Sequence, residues 1–256
     1  MTQALLSPTD PPAFEIIRPN GSSIFFLTAD HASNRVPEQL GTLGLSATDR
    51  ERHIAWDIGI ARVGRFLSEQ LDACLVLQGY SRLVIDCNRP PGSPGSVVAV
   101  SERTAVPGNE GVSANARKQR EDEVFWPYHN RISAALDARQ QRGQQTVMIA
   151  LHSFTPVFLD ERRRVEFGVL YESDTRFSAP LLKVVRAEPT LEVGDNSPYA
   201  MSLDTDFTMV THALGRGLMH VELEIRQDLL ADDTHCAEWA ARLARWLPAA
   251  LAKAVL

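Results

Sequence analysis

Three short apolar runs in this chain end on ionisable residues, and no other feature constrains the fold as tightly. The runs are 24–27 before Asp30 and His31, 147–151 before His152, and the alternating stretch 218–226. Runs of this length bounded by turn signals fit buried strands. In open α/β sheets ligands collect beyond the carboxyl ends of the strands. Alternate strand residues share a face, so His220, Glu222, Glu224 and Arg226 line one side and Met219, Val221, Leu223 and Ile225 the other. Such a face suits a solvated edge strand and the wall of a site about equally. His31 and His152 share a format: strand, histidine, serine, loop, proline. Two such histidines beside an acidic third strand favour a catalytic divalent metal with an acid–base group next to it.

The remaining pattern alternates strands with helices. A strand is expected over 22–28, a helix over 49–71, and short strands over 74–77 and 83–85. Residues 89–111, dense in proline and glycine, read as a long loop of the kind that carries function. A helix over 120–142 should kink or break at Pro127. Strands at 146–151 and 166–171, a helix over 179–188, a loop over 194–198, a strand at 218–225 and a closing helix over 231–252 complete the order. Residues 202–215 carry no clear pattern. Alternating elements imply a mixed, mostly parallel sheet covered by helices on both faces. An irregular N-terminal arm over residues 1–21 and one catalytic domain over 22–256 are expected.

Composition narrows the function classes. A hydrophobic content of 44%, a charged content of 23% and 256 residues describe an ordinary globular domain. The net charge of −6 leaves no basic stripe for a nucleic-acid partner. Cys74, Cys87 and Cys236 are widely spaced, without a CxxC pair, and fit reduced thiols. Residues 1–20 lack a signal pattern, and no apolar run approaches a membrane span. A cytoplasmic protein acting on a small molecule, with neither nucleic acid nor membrane as partner, is expected.

Asp86-Cys87-Asn88-Arg89 leads into the long loop. Arg89, with Asn88 beside it, offers the donor fork that grips a substrate carboxylate, or else a structural pair with Asp86. Ser33 and Ser153 lie outside any G-x-S-x-G elbow, which argues against a serine hydrolase.

Many ordered motifs resemble the N-formylglutamate amidohydrolase family: Asp30-His31-Ala32-Ser33-Asn34, Trp56-Asp57-Ile58-Gly59, Asp86-Cys87-Asn88-Arg89-Pro90 and Val106-Pro107-Gly108-Asn109. Pro127-Tyr128-His129, Leu151-His152-Ser153-Phe154-Thr155-Pro156, Gly194-Asp195-Asn196-Ser197-Pro198-Tyr199 and the segment 221–228 extend the match along nearly the whole chain. The family is related to the zinc carboxypeptidases and the aspartoacylase/desuccinylase enzymes. The resemblance implies their phosphorylase/hydrolase-like α/β fold and one zinc per chain. It implies His31 and His152 as ligands, Asn88 and Arg89 on the substrate carboxylate, and Glu224 as catalytic base with Arg226 in its segment. In those relatives a glutamate ligand follows the first histidine by three residues, where this chain has Asn34. Asp57 is the favoured replacement, ahead of Asp30 and Glu38, and Asp30 better fits orienting a histidine. Asn196 and Tyr199 are candidate substrate contacts, though Tyr199 fits packing at a turn somewhat better. His129 reads as structural, and His212 with Arg216 as an anionic contact or a surface pair. The implied activity is zinc-dependent hydrolysis of N-formyl-L-glutamate to formate and glutamate. Deacylation of another N-acyl amino acid or peptide, and a catalytically silent carboxylate-binding protein, are the alternatives.

Overall fold

The computed structural model describes residues 4–254, so Met1–Gln3 of the expected arm and the last two residues lie outside it. In chain order the strands are β1 (Phe14–Ile17), β2 (Phe25–Ala29), β3 (Cys74–Gln78), β4 (Val100–Ser101), β5 (Thr104–Ala105), β6 (Val147–Phe154), β7 (Val157–Phe158), β8 (Glu161–Arg162), β9 (Phe167–Leu170), β10 (Val193–Asp195) and β11 (Met219–Arg226). Seven form the main sheet in the order β1-β3-β2-β6-β11-β9-β10, while β4 with β5 and β7 with β8 make two small antiparallel pairs. The centre, β3-β2-β6-β11, is parallel. At the edges β1 runs antiparallel to β3, and β9 antiparallel to β11, with β10 parallel to β9. Part of the expected irregular arm is therefore an edge strand.

Alternation along the central strands sorts residues into two cores. Val147, Ile149 and Leu151 of β6 and Met219, Val221, Leu223 and Ile225 of β11 face one core; Met148 and Ala150 face the other. The helices are α1 (Ala47–Arg50), α2 (Ile60–Leu71), α3 (Ala114–Arg120), α4 (Trp126–Gln141), α5 (Ser178–Val185), α6 (Thr208–His212) and α7 (Asp233–Leu251). α2, α5 and α7 cover the first core, with Val63, Leu67, Leu181, Trp239 and Trp246 buried. α4 and the segment around 80–97 cover the second. No helix among the described residues is long and apolar enough to cross a membrane.

Several expected boundaries move for identifiable reasons. The expected helix over 49–71 is split: α1 ends at Arg50, turns follow, and α2 starts at Ile60. Gly59 is the break, with φ of 83° in the left-handed region. The expected strand at 83–85 is a buried turn. Its carbonyls are taken by side chains instead of a neighbouring strand: Asn109 Nδ2 donates to Leu83 O at 2.8 Å and Arg120 Nη1 to Val84 O at 2.9 Å. At Pro127 the helix does not stop. A wide π turn over Glu121–Phe125 joins α3 to α4, making room for a ring that would clash with the carbonyl four residues back.

Gly59 also fixes how the turn carrying Asp57 meets α2. A Cβ there would lie 2.5 Å from Leu230 Cβ. We expect Gly59→Ala to lower stability by about 1–3 kcal/mol in urea denaturation, from positive φ and this clash together.

Candidate active site

The cavity at the carboxyl edge of the central strands measures about 290 Å³ and is lined by residues from seven separate segments, β9 contributing Leu170. β2 delivers Asp30 and His31 as it ends, β6 carries His152, and β11 carries Glu222 and Glu224. The turn before α2 supplies Asp57, the segment after β3 supplies Arg82 to Arg89, and the loop before α6 supplies Tyr199 and Asp206. β11 is an interior strand with seven of its eight residues buried, so its polar face is a site wall and not a solvated edge.

His31, Asp57 and His152 are buried and offer ligand atoms that all lie within 4.8 Å of one another. His31 Nδ1 is 3.5 Å and His152 Nδ1 2.9 Å from the same oxygen, Asp57 Oδ2. The outer ring nitrogens face other carboxylates. His31 Nε2 donates to Asp86 Oδ1 at 2.7 Å, and His152 Nε2 lies 3.5 Å from Asp30 Oδ2. Asp30 is fixed in turn by the Tyr128 and Thr208 hydroxyls, each donating to Oδ1 at 2.8 Å. Metal-binding histidines are held this way, with the second nitrogen on a carboxylate. His31 Nδ1, buried without a hydrogen-bond partner, is an orphan that a cation would satisfy. Two imidazoles and one carboxylate fit a catalytic zinc with an open position.

The charges around this triad are strongly coupled. Burial opposes the charged ring of His31, as does Arg82, but Asp86 and Asp57 outweigh both and raise its pKa. Burial likewise opposes His152, and the bonds to Asp30 and Asp57 push it well above its ordinary value. Burial works against ionised Asp57 and Asp86 too, yet the histidines lower Asp57, and Arg82 and His31 hold Asp86 well down. Glu224 stands opposite His152 in the β6–β11 register. Burial raises it to about 8, with Asp57 and Glu222 adding to the effect against His152. Glu222 is pushed up to about 7 by burial, and Asp206 and Asp30 also raise it against His152.

Arg89 and Asn88 share a wall of the cavity. Arg89 Nη1 donates to Asp206 Oδ1 at 3.0 Å and to Thr205 O at 2.9 Å. Asn88 Nδ2 donates to the same carboxylate oxygen at 3.4 Å, and its Oδ1 accepts from the Phe207 and Thr208 amides. Asp206, not Asp86, is thus Arg89's carboxylate partner. Tyr199 lines the cavity mouth, where its hydroxyl accepts from Arg163 Nη1 at 2.7 Å.

Two residues expected at the site lie elsewhere. Arg226 spends its guanidinium on Asp228 at 2.8 Å and on the carbonyls of Arg163, Arg164 and Val165, and does not line the cavity. It is the last residue of β11, where loop carbonyls compete for its donors. Asn196 accepts from the Tyr171 amide at 2.9 Å and closes a turn. Asn34 donates to Arg50 O at 3.1 Å and exposed Glu38 accepts from Ser7 and Thr9, so neither joins the triad. Arg82 and Asp206 were not legible as site residues. Arg82 could have been found four residues before Asp86, which it pairs at 2.7 Å; Asp206, in a patternless stretch, gave no signal.

A buried histidine pair supports the site from beneath. His129 Nε2 donates to Cys87 O at 2.9 Å, and its Nδ1 lies 3.0 Å from His212 Nε2 in a stacked arrangement. Arg216 turns to Ser133 and Asp137, away from the cavity. Burial lowers His129 to about 3, assisted by His212, and lowers His212 to about 4, assisted by Arg216.

A mostly parallel sheet with buried acids and histidines gathered at its carboxyl edge defines an α/β enzyme site. The family model for N-formylglutamate amidohydrolase matches residues 23–231, and the chain belongs to that family of hydrolases. Among solved structures, gene product Atu2144 from Agrobacterium tumefaciens is 36% identical with a TM-score of 0.93, over 97% of this chain and 98% of that one. N-formylglutamate amidohydrolase from Ralstonia eutropha JMP134 shares the fold at 15% identity and a TM-score of 0.66, over 93% of this chain and 99% of that one. No curated protein matches the chain.

The histidine pair yields a stability prediction. Both pKa values are lower folded than unfolded, so below the ordinary value of 6.5 the unfolded chain binds more protons. Stability from this pair is fully present above pH 6.5 and is lost as pH falls toward about 4, by up to about 1.4 kcal/mol per unit per group. Urea midpoints measured from pH 7 to 4 should fall less steeply for His212→Gln than for the parent.

Proposed function

We propose that the protein is a zinc-dependent amidohydrolase that cleaves the amide of an N-formyl or other N-acyl amino acid, with N-formyl-L-glutamate as its reference substrate. The observation that carries this reading is the convergence of His31, Asp57 and His152 beside a buried carboxyl, Glu224, whose Oε2 has no hydrogen-bond partner among the described residues. A zinc ion on these three ligands supplies a Lewis acid and a water of lowered pKa.

The chain's own residues do the rest. The free carboxylate of the substrate binds Arg89, which lines the cavity with Asn88 alongside. Holding that carboxylate sets the scissile carbonyl against the triad by position alone. Glu224 takes the proton of the attacking water and returns it to the departing nitrogen, base first and acid second. Arg82 Nη1, 3.7 Å from Asp57, is the nearest cation for the oxyanion that develops at the carbonyl. Tyr199 at the mouth completes the substrate's surroundings. The products are a free amino acid, glutamate from the reference substrate, and formate or the corresponding acid.

Purified protein should carry about one zinc per chain and release formate from N-formyl-L-glutamate, with loss on chelation and recovery on zinc. Glu224→Gln should keep the metal and lose about 10²–10⁴-fold in kcat. Arg89→Ala should raise KM far more than it lowers kcat. Protein that binds no stoichiometric metal, and is inert with zinc added, overturns the reading.

A further inference from the structure

Three consecutive arginines close the β7–β8 pair, and the middle one is turned inward: Arg162 and Arg164 are exposed, while Arg163 is half-buried. Drawing a guanidinium in from water is costly unless its face and its donors find partners. Arg163 finds aromatic rings. Its guanidinium carbon lies 4.7 Å from the ring centre of Tyr199, 4.8 Å from that of Phe158 and 5.7 Å from that of Phe154. These are distances of cation–π attraction. The rings come from three segments. Phe154 ends β6, two residues past His152 on the same face, Phe158 belongs to β7, and Tyr199 lies in the loop before α6. The main chain of Arg163 is fixed on both sides: its amide donates to Pro156 O at 2.9 Å, and its carbonyl accepts from Arg226 Nη1 at 3.3 Å. Arg226, absent from the cavity, thus anchors the segment that carries Arg163.

This clasp bears on the cavity through its rings. Phe154 and Tyr199 line the catalytic cavity, and Phe158 and Tyr199 line a second one that shares His53, Arg82 and Arg89 with it. Arg163 Nη1 donates to the Tyr199 hydroxyl at 2.7 Å. A guanidinium has no acceptor, so the phenol oxygen accepts there and its own proton is left for another partner. Burial raises the pKa of Tyr199 against the bond to Arg163, so the hydroxyl stays protonated at neutral pH and acts as a donor. Glu224 raises it further and Arg82 lowers it, as groups sharing one cavity with the hydroxyl do.

We infer that Arg163 is a positioning residue: it gathers Phe154, Phe158 and Tyr199 at the cavity mouth, occupies one side of the phenol oxygen, and so keeps the Tyr199 O–H as a donor for the substrate. This role rests on N-acyl amino acid hydrolysis at the site and deepens it, since Arg163 acts through Tyr199 and does not itself line the cavity.

Kinetics on N-formyl-L-glutamate with Tyr199→Phe, Arg163→Met and the double variant test the role, because methionine keeps contact with the rings and removes the donor. Each single change should lower kcat/KM by about three- to tenfold, as loss of one hydrogen bond does. The double change should cost no more than either alone, since the two residues act as a unit. Arg163→Leu repeats the measurement should Arg163→Met fold poorly. A 3-fluorotyrosine placed at position 199 reads the contact without turnover, by fluorine NMR. Its titration midpoint should rise in Arg163→Met, because the phenolate loses both a cation and a donor. A parent that hydrolyses no N-formyl amino acid, while this midpoint still shifts, overturns the amidohydrolase reading and retains the positioning of Tyr199 by Arg163. Full activity of Tyr199→Phe, losses that add in the double variant, or an unmoved midpoint in folded Arg163→Met protein overturns the inference.

Discussion

Everything at this site hangs on the parallel ladder between β6 and β11, which sets His152 against Glu224 and Ala150 against Glu222. Side chains alternate across a sheet, so a slip of one residue would send His152 and both glutamates into the helix-covered core and bring Leu151 and Leu223 to the cavity. The apolar half of each strand prevents that slip. Val147, Ile149 and Leu151 pack with Val221, Leu223 and Ile225 beneath α2 and α7. Hydrophobic burial on one face of the sheet thus specifies polar geometry on the other.

The second determinant is the way the histidines are held. Each triad ring has its outer nitrogen facing a carboxylate, Asp86 for His31 and Asp30 for His152, and its inner nitrogen turned to Asp57. Asp86 is itself held by Arg82, and Asp30 by Tyr128 and Thr208. The inner atoms are oriented before any ligand arrives, which lowers the cost of organising them later. The same arrangement leaves Glu224 and Glu222 with no protein donor, and burial keeps their proton affinity high.

Much of this was legible in the chain. His31, His152 and Glu224 announce themselves because each interrupts an apolar run at a strand's carboxyl end, where polarity has no packing explanation. The sheet's central strands were legible for the same reason. Asp57 was reached through the absence of a carboxylate at Asn34, and the structure brings it to the histidines, though from a turn and not from the helix expected to contain it. Arg226 misled because strand alternation fixes which face a Cα presents and says nothing of where a long side chain ends. The short strand at 83–85 misled because an apolar run can be buried as a turn when Asn109 and Arg120 accept the duty of pairing its carbonyls. Asp206 was invisible, since its position against Arg89 depends on a long connection with no periodicity.

The distances along the chain between contacting site residues have a consequence for how the protein comes into being. His31 and Asp86 are 55 residues apart, His152 and Asp57 95, Asn88 and Asp206 118, and Asp30 and Thr208 178. Contacts of such separation form only after the intervening chain has closed, and a parallel sheet makes closure slow. During synthesis β11 is the last sheet strand to emerge, and with it Glu222 and Glu224. A nascent chain therefore holds both histidines before it holds either glutamate. The site is complete only once β11 has joined the sheet between β6 and β9.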